Sequence, residues 1–496
     1  MVMVAGLNDL RGPFGGLDKS AFINTASYVI WKEGNIYYAK NGNTGRLDYY
    51  DTDFSVVFNT VSAALNAVGG GSIKLVGELT GTIALIARSL VDVDGFGAEI
   101  VIVSNNTLNA VNFTDVVDSM WRNVIVRRQG IVADGSMALV LWGTTDSTVK
   151  FSNCQFFNET TGGSYCYGIS VTESASPSFI GCTALGGGGG VSCFGVYVAD
   201  IASPSFIGCT GMGGGGGLYC HGIYTAGSAS PSCSGCTWQG GVGAESYGIY
   251  VAGSTSPLFI GCTGMGGGGG TNCYGILMTS SSSPLISSCT FIGGERINTG
   301  WVYTSANNGR FQPYAGHPYM LIGIYVYVSV AAGAGITLSL GNTVAGIEIA
   351  TGIPIDSTNG KYFAITRTEQ IADGYLYATP SGAIAEGSLN VRYVVISNYG
   401  LCRGVNLNTR GYVRLANSTI ISNGASDAIY ISDVAEAANA WRVTNCHIET
   451  MDPVNQSSII SQSAYANGPI YNCTLIGLVT NIVPAAGTAV GSNIQV

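Results

Sequence analysis

Between residues 151 and 300 the apolar residues come in short runs: ISV, SFI, VYV, IYV, LFI. Each run is too short for a helix. Apolar and polar positions alternate through and around these runs, the period-2 signature of strands that bury one face. The pattern changes in two places. In 53–68, DFSVVFNTVSAALNAV, the apolar residues Val57, Val61, Leu65 and Val68 fall at helical spacing, and Gly69-Gly70-Gly71 ends the run. In 305–395 longer alternating segments such as IGIYVYVSV, KYFAITRT and LNVRYVVI are separated by the turn signals AAGAG, STNG and PSG.

The short runs repeat. SPSFIGCT begins at Ser176 and Ser203, SPSCSGCT at Ser230, SPLFIGCT at Ser256 and SPLISSCT at Ser283, in steps of 27, 27, 26 and 27 residues. A Cys-aromatic-Gly triplet recurs with them, at Cys166, Cys193, Cys220 and Cys273, and Ser246-Tyr247-Gly248 takes its place in the fourth unit. Such a period with no helical stretch fits three short strands and three corners, one turn of a parallel β-helix with coils ~4.8 Å apart. Equivalent residues then stack in columns. Ile169, Val196, Ile223, Ile249 and Ile276 form one inward column, and Val171, Val198, Thr225, Val251 and Met278 another. Phe179, Phe206, Cys233, Phe259 and Ile286 form a third, so Cys233 occupies a phenylalanine slot. Five-glycine runs recur at 186–190, 213–217 and 266–270, with Gly240-Gly241-Val242-Gly243 in the remaining coil. They are expected to be ordered extended strands presenting a flat face free of side chains.

Cys154, Cys182, Cys209, Cys236, Cys262 and Cys289 share a column, and Cys446 and Cys473 restore it after Ser418. In-register thiols point the same way, which is poor disulfide geometry. Cys233 and Cys236 are the one CxxC pair and belong to separate columns. The cysteines read as small buried core residues, with no metal site and no cofactor.

The segment YYAKNGNTGRLDYYDTDFSVVFNTVSAALNAVGGGSIKLVGEL resembles the N-terminal segment of pectate-lyase-like right-handed parallel β-helix proteins, phage tailspikes and tail fibres among them. The resemblance lies in Thr-Asp before a capping helix, then three glycines and a first strand. It extends over about 40–300 and 401–480. The expected fold class is all-β, a right-handed parallel β-helix with an N-terminal capping helix and an inserted or docked β-sandwich. The expected division is 1–50 as an N-terminal adaptor, 51–304 as β-helix (capping helix 53–68, regular coils 151–300), 305–397 as β-sandwich, and 398–496 as β-helix continuation and C-terminal cap. Residues 319–340 carry no charge, but IYVYVSV, AAGAG and ITLSL read as a β-hairpin rather than a membrane span.

Composition narrows the partners. Net charge is −9, charged residues are 10% of the chain, and no basic stripe is visible, which argues against nucleic acid. The N-terminus MVMVAGLNDLRG shows no basic region before an apolar core, so no signal peptide is read there. No catalytic constellation stands out. The acids of 151–290 are Glu159, Glu173, Asp200 and Glu245, at different repeat positions, and His221 falls in the aromatic column. Tyr197, Tyr224 and Tyr250 each follow an inward residue and so point outward, with Trp238 placed on a neighbouring corner. Such a stripe suits sugar rings, a partner subunit, or stacking of the coils themselves.

These features lead to a structural fibre or spike protein of a virus, phage or microbial surface that mediates attachment, with glycans as the expected receptor. The resemblance implies a homotrimer on a virion or cell surface, without membrane insertion. The alternatives are a polysaccharide lyase or glycoside hydrolase, with Asp92, Glu173 or Glu295 in an intersubunit groove, and a self-assembling adhesin or filament subunit.

Overall fold

The computed structural model describes residues 26–294, apart from 105–108, 132–134, 144–147, 189–190 and 269–271, and beyond 294 a series of segments that are chiefly strands. Each regular coil contributes three strands. In the coil that begins at Cys193 they are Val196–Val198, Ser205–Ile207 and Thr210–Met212, here the leading, middle and closing strands. Leading strands stack into an eleven-stranded parallel ladder that runs from Leu85–Ile86 to Ile460–Gln462. Middle and closing strands pair in parallel with their counterparts one coil away, residue for residue. The architecture is a right-handed parallel β-helix.

The inward columns match the alternation in the sequence. Ile169, Val196, Ile223, Ile249 and Ile276 are paired in sequence along the axis and are buried, as are Val171, Val198, Thr225, Val251 and Met278 two positions on. Phe151, Phe179 and Phe206 stack nearly parallel, with centroids 4.8 and 4.9 Å apart. That spacing is the rise between coils, so one ring per coil fills the column without a gap.

Cys233 interrupts this column, and the same coil supplies the missing volume. Across the core, the closing strands place Gly211, Trp238 and Gly264 in register. The Phe206 coil therefore carries Gly211, the Phe259 coil carries Gly264, and the Cys233 coil carries Trp238. Its indole is fully buried and meets the Phe206 ring edge-on at 5.6 Å. A Cβ on Gly211 would lie 2.6 Å from the indole carbons. Large and small residues thus exchange places across one coil, and the bulkier Cys–Trp pair also fills the space left beside Gly211.

Middle and closing strands meet at a corner two residues wide. Gly181, Gly208, Gly235 and Gly261 sit there with φ between 60° and 62°, and Asn153, Asn417, Asn445 and Asn472 take the same left-handed conformation in the less regular coils. Glycine and asparagine tolerate it best, and Ser288 adopts it in one further coil. The cysteine column follows directly. Cys209 Sγ donates to the Ile207 carbonyl of its own coil (3.5 Å) and to the Phe179 carbonyl of the preceding one (3.4 Å), a pattern repeated at Cys236, Cys262 and Cys289. Ser418 fills the slot with Oγ donating to the Ala416 carbonyl at 2.8 Å. The slot selects a small side chain that donates to corner carbonyls. All thirteen described cysteines are buried and unbridged.

Helix α1 (Phe54–Ala67) covers the first coil. Asp53 caps it, accepting from the Ser55 amide at 2.8 Å and the Thr82 amide at 3.1 Å, which ties the cap to the coil beneath. Phe54, Val57, Phe58, Val61 and Leu65 are buried, and Phe58 contacts Trp121. Without α1 the open end of the core would be solvated. Upstream, Tyr28–Glu33 pairs in parallel with Gly71–Val76, so this part of the 1–50 segment belongs to the β-helix sheet rather than to a separate adaptor.

The second block of repeats joins the first without a step. Ile276–Ser280 stacks directly on Val405–Thr409, and Thr290 pairs with Thr419, 129 residues on. The intervening chain holds two antiparallel sheets of four strands each. This arrangement fits an inserted β-sandwich. The expected hairpin within 319–340 is corrected. Met320–Val328 pairs with Lys361–Ile365 and Leu389–Ile396, whereas Thr337–Gly341 pairs with Ala350–Pro354 and Leu376–Pro380. The two strands are consecutive in sequence but belong to different sheets. No helix among the described residues is long and apolar enough to cross a membrane.

Candidate functional site: the aromatic wall

The Cys-aromatic-Gly triplets build a second stack beside the leading strands. Tyr167, Phe194, His221, Tyr247 and Tyr274 lie almost parallel, with successive centroids 4.7 to 5.1 Å apart and ring planes within 11°. All five are buried. Burial drives the His221 pKa down to about 3, so the imidazole is neutral, and its Nδ1 accepts from the Tyr247 amide at 3.3 Å. His221 serves as a flat spacer in an aromatic column, as the sequence implies.

Tyr197, Tyr224 and Tyr250 form the outer layer, in register on the leading strands and half-buried. Tyr224 stacks on Tyr250 at 4.8 Å and tilts toward Tyr197 at 5.6 Å. Edge-on contacts tie this layer to the inner one, Tyr224 to Phe194 at 5.2 Å and Tyr250 to His221 at 5.3 Å. Burial, with the neighbouring Tyr250 and Tyr197, pushes the Tyr224 phenol up to about 12, so its hydroxyl stays protonated. At the C-terminal end the Arg403 guanidinium lies 5.7 Å from the Tyr274 ring and 3.8 Å from the Tyr430 ring. The wall is a rigid aromatic surface with phenolic hydroxyls at intervals of one coil.

The fourth expected contact residue is corrected. Trp238 is a core residue, and no face of it reaches solvent. The parity of its strand requires this, because the neighbouring Thr237 is the partly exposed residue.

The glycine runs form an arm next to the wall. The second glycine of each run, Gly187, Gly214, Gly241, Gly267 or Gly294, donates its amide to Cys166, Cys193, Cys220, Ser246 or Cys273. A Cβ on Gly214 would overlap the Gly187 carbonyl oxygen, and one on Gly241 would overlap that of Gly214. Beyond this point Gly215–Tyr219 and Val242–Glu245 pair as a small parallel sheet. The first two glycines of each run are covered by neighbouring coils rather than forming an open bare face. Gly189, Gly190, Gly269 and Gly270 lie outside the described residues.

Charged residues gather on the outer face of the first coils. Arg127 pairs with both Glu99 and Glu159, lies 4.7 Å from the Phe157 ring centroid, and shares Glu159 with Gln129. Burial acts to lower the Arg127 pKa, but the charges of Glu159 and Glu99 outweigh it. Arg122 pairs with Asp94 at 2.8 Å. Asp92 accepts the Met120 amide on a middle strand, whereas Glu173 ends a leading strand. The two candidate acids therefore occupy different ladders, and Glu295 lies outside the described residues. Among the described residues no cluster of three or more His, Cys, Asp or Glu could hold a metal ion.

No family model and no curated protein sequence matches the chain. Among solved structures, the A-module of mannuronan C-5 epimerase AlgE6 from Azotobacter vinelandii is similar at 9% identity and a TM-score of 0.28, over 90% of this chain and 95% of that one. The tailspike gp49 of Acinetobacter baumannii bacteriophage Fri1, a capsular polysaccharide depolymerase, is similar at 9% identity and a TM-score of 0.24, over 68% and 82%. The tailspike of Acinetobacter baumannii phage AM24 is similar at 11% and 0.23, over 69% and 80%. The likeness is one of architecture, and this chain's own strand ladders carry the fold assignment.

Proposed function

We propose that this chain is a glycan-engaging fibre or spike element of a virion or microbial surface, and that the wall of Tyr197, Tyr224 and Tyr250 lies along the bound polysaccharide. The observation that carries the reading is the outer tyrosine layer itself. It is half-exposed, braced from behind by a second stack, and repeats at the coil rise of ~4.8 Å, about the width of a pyranose ring. Because the rings stack along the axis, the wall offers apolar ring edges and protonated phenols, and the phenols exchange hydrogen bonds with sugar hydroxyls. The wall needs no ordering on binding, which lowers the entropic cost.

The test is a glycan array probed with the wild type and with the Tyr197→Ala/Tyr224→Ala/Tyr250→Ala triple variant. Retention of a glycan ligand by wild type and its loss by the variant, with an unchanged far-ultraviolet spectrum, is the expected result. Equal binding by both removes the wall from the reading. In the same proposal the working form is a homotrimer, and a monomer in sedimentation at micromolar concentration refutes that part.

A second reading, polysaccharide cleavage, draws on Glu99 and Glu159 at either side of Arg127. Paired carboxylates can serve as acid and base in the cleavage of sugars. Release of reducing ends or unsaturated products by wild type, abolished by Glu159→Gln, would establish it.

A further inference from the structure

The ridge along which middle and closing strands meet carries no charge over five coils. The middle strands from Ser178–Ile180 to Leu285–Ser287 contain no Asp, Glu, Lys or Arg, and neither do the closing strands from Thr183–Leu185 to Thr290–Ile292. Asp200 and Glu245 are the only acidic or basic residues between 178 and 292 besides the neutral His221. Asp200 follows a leading strand and Glu245 ends a strand of the glycine arm, so both lie off the ridge. Charge returns in the same column one rung beyond each end, where Lys150 pairs with Ser178 and Arg414 with Leu285.

The ridge presents apolar and small groups instead. Ile180, Ile207 and Ile260 are 45%, 47% and 44% exposed and stand in one column, with Ser234 in the remaining coil. On the other slope each coil places a half-buried threonine, in register from Thr183 to Thr290. The corner between the slopes is bare, and at Gly208 and Gly235 a Cβ would meet nothing within 4 Å. A column of isoleucines facing water is the kind of surface that marks a protein contact.

Two features say what covers it. The column repeats at the coil rise of ~4.8 Å, so a second copy laid alongside has rows and gaps at the same spacing, which a globular partner lacks. In an assembly whose rotation axis runs along the coils, a residue near that axis meets its own copies, and any charge there faces its like. A partner of different sequence can answer a charge with the opposite one, whereas a surface that meets itself gains nothing from charge of either sign. We propose that this ridge is where copies of this chain pack side by side, with coil axes parallel and like residues at like heights. The proposal rests on the homo-oligomer part of the reading above and adds its face and its register. The leading strands form the side of the coil opposite this corner, so the aromatic wall then faces outward.

Sedimentation velocity of the full chain at micromolar concentration tests this. Wild type sediments as an oligomer. Ile207→Glu/Ile260→Glu, which sets like charges against each other, raises the dissociation constant by about tenfold or more. Ile201→Glu, on a turn after a leading strand and 63% exposed, leaves it unchanged. Ser287→Cys treated with a short bis-maleimide gives a dimer band on a denaturing gel that wild type does not, because parallel register brings each Ser287 beside its own copy. Far-ultraviolet circular dichroism checks the fold. Where the glutamates disturb it, Ile207→Ser/Ile260→Ser, which copies the residue native at 234, takes their place and weakens association in the same direction. A monomeric wild type overturns the ridge and the homotrimer together. An oligomer kept by the ridge variants, lost equally in Ile201→Glu, or not cross-linked through Ser287→Cys overturns the ridge alone and leaves the homo-oligomer reading intact.

Discussion

The exchange of volume between Cys233 and Trp238 makes a quantitative prediction. Trp238→Gly empties a site that is fully buried and bounded by Phe206 and the glycine rungs of the neighbouring coils. Loss of a buried tryptophan costs about 3–5 kcal/mol, and glycine in a strand adds up to ~1 kcal/mol. Cys233→Phe alone forces a ring against the indole and costs about 1–3 kcal/mol by overpacking. Together the two changes give the coil the same Phe and Gly pair as the coils that contain Phe206 and Phe259. The new ring would extend a stack that already repeats at 4.8 and 4.9 Å between Phe151, Phe179 and Phe206. The new ring fills part of the indole's volume but not the space over Gly211, so the double variant is expected to lose about 1–3 kcal/mol less than the sum of the two single losses. Urea unfolding of the four proteins, followed by far-ultraviolet circular dichroism, measures it. Additive losses in the double variant would show that the two residues do not share one volume, and the column argument would fail.

Other outcomes follow from single positions. Gly214→Ala is expected to abolish soluble expression or lower the unfolding midpoint sharply, because its Cβ overlaps the Gly187 backbone. Gly215→Ala, whose Cβ meets only Val242 at 3.9 Å, should leave the midpoint near wild type. Burial acts to raise the Asp53 pKa, but hydrogen bonds from Ser55 and Thr82 outweigh it and hold the carboxyl below its usual range. Its contribution is thus complete above about pH 4 and is lost as pH falls through the lowered value. Asp53→Ala should cost ~1 kcal/mol at pH 7 and progressively less in acid unfolding titrations. The His221 ring, held neutral down to about pH 3, should show imidazole nitrogen shifts that do not move between pH 4 and 8. Because its folded pKa is depressed, its share of stability is present above about pH 6.5 and declines below it. Cys209→Ser should fold, since Ser418 already fills the equivalent slot, and native protein should react slowly with thiol reagents until unfolded.

The coil period, the columns and the capping helix were legible because a solenoid writes its register directly into the sequence. Equivalent residues recur at 26 or 27, and one aligned pair fixes all the others. Trp238 was misplaced despite an available signal. The parity of Thr237-Trp238 makes it inward, and Phe156, Phe291 and Ile420 show that its column takes large residues, but the rungs nearest it carry Ala184, Gly211 and Gly264. Only the cross-core pairing with Cys233 explains the indole, and that pairing depends on the shape of the coil. The strands of 320–341 were recognised as strands but paired with the wrong partners, because alternation within a strand does not specify its neighbour.

The glycine arms carry one more consequence. At that corner successive coils meet main chain to main chain, so the fit between neighbours there does not depend on which side chains either one carries elsewhere. A coil that keeps Gly-Gly, the left-handed corner and the small donor after it can be copied, deleted or exchanged as a block, and the flanking coils still find matching surfaces. The identical stretches at 208–217 and 261–270 are what such copying would leave behind. Length then becomes a trait that changes in whole increments of one coil rise, and the reach of the protein can vary across generations while its wall and its core stay in register.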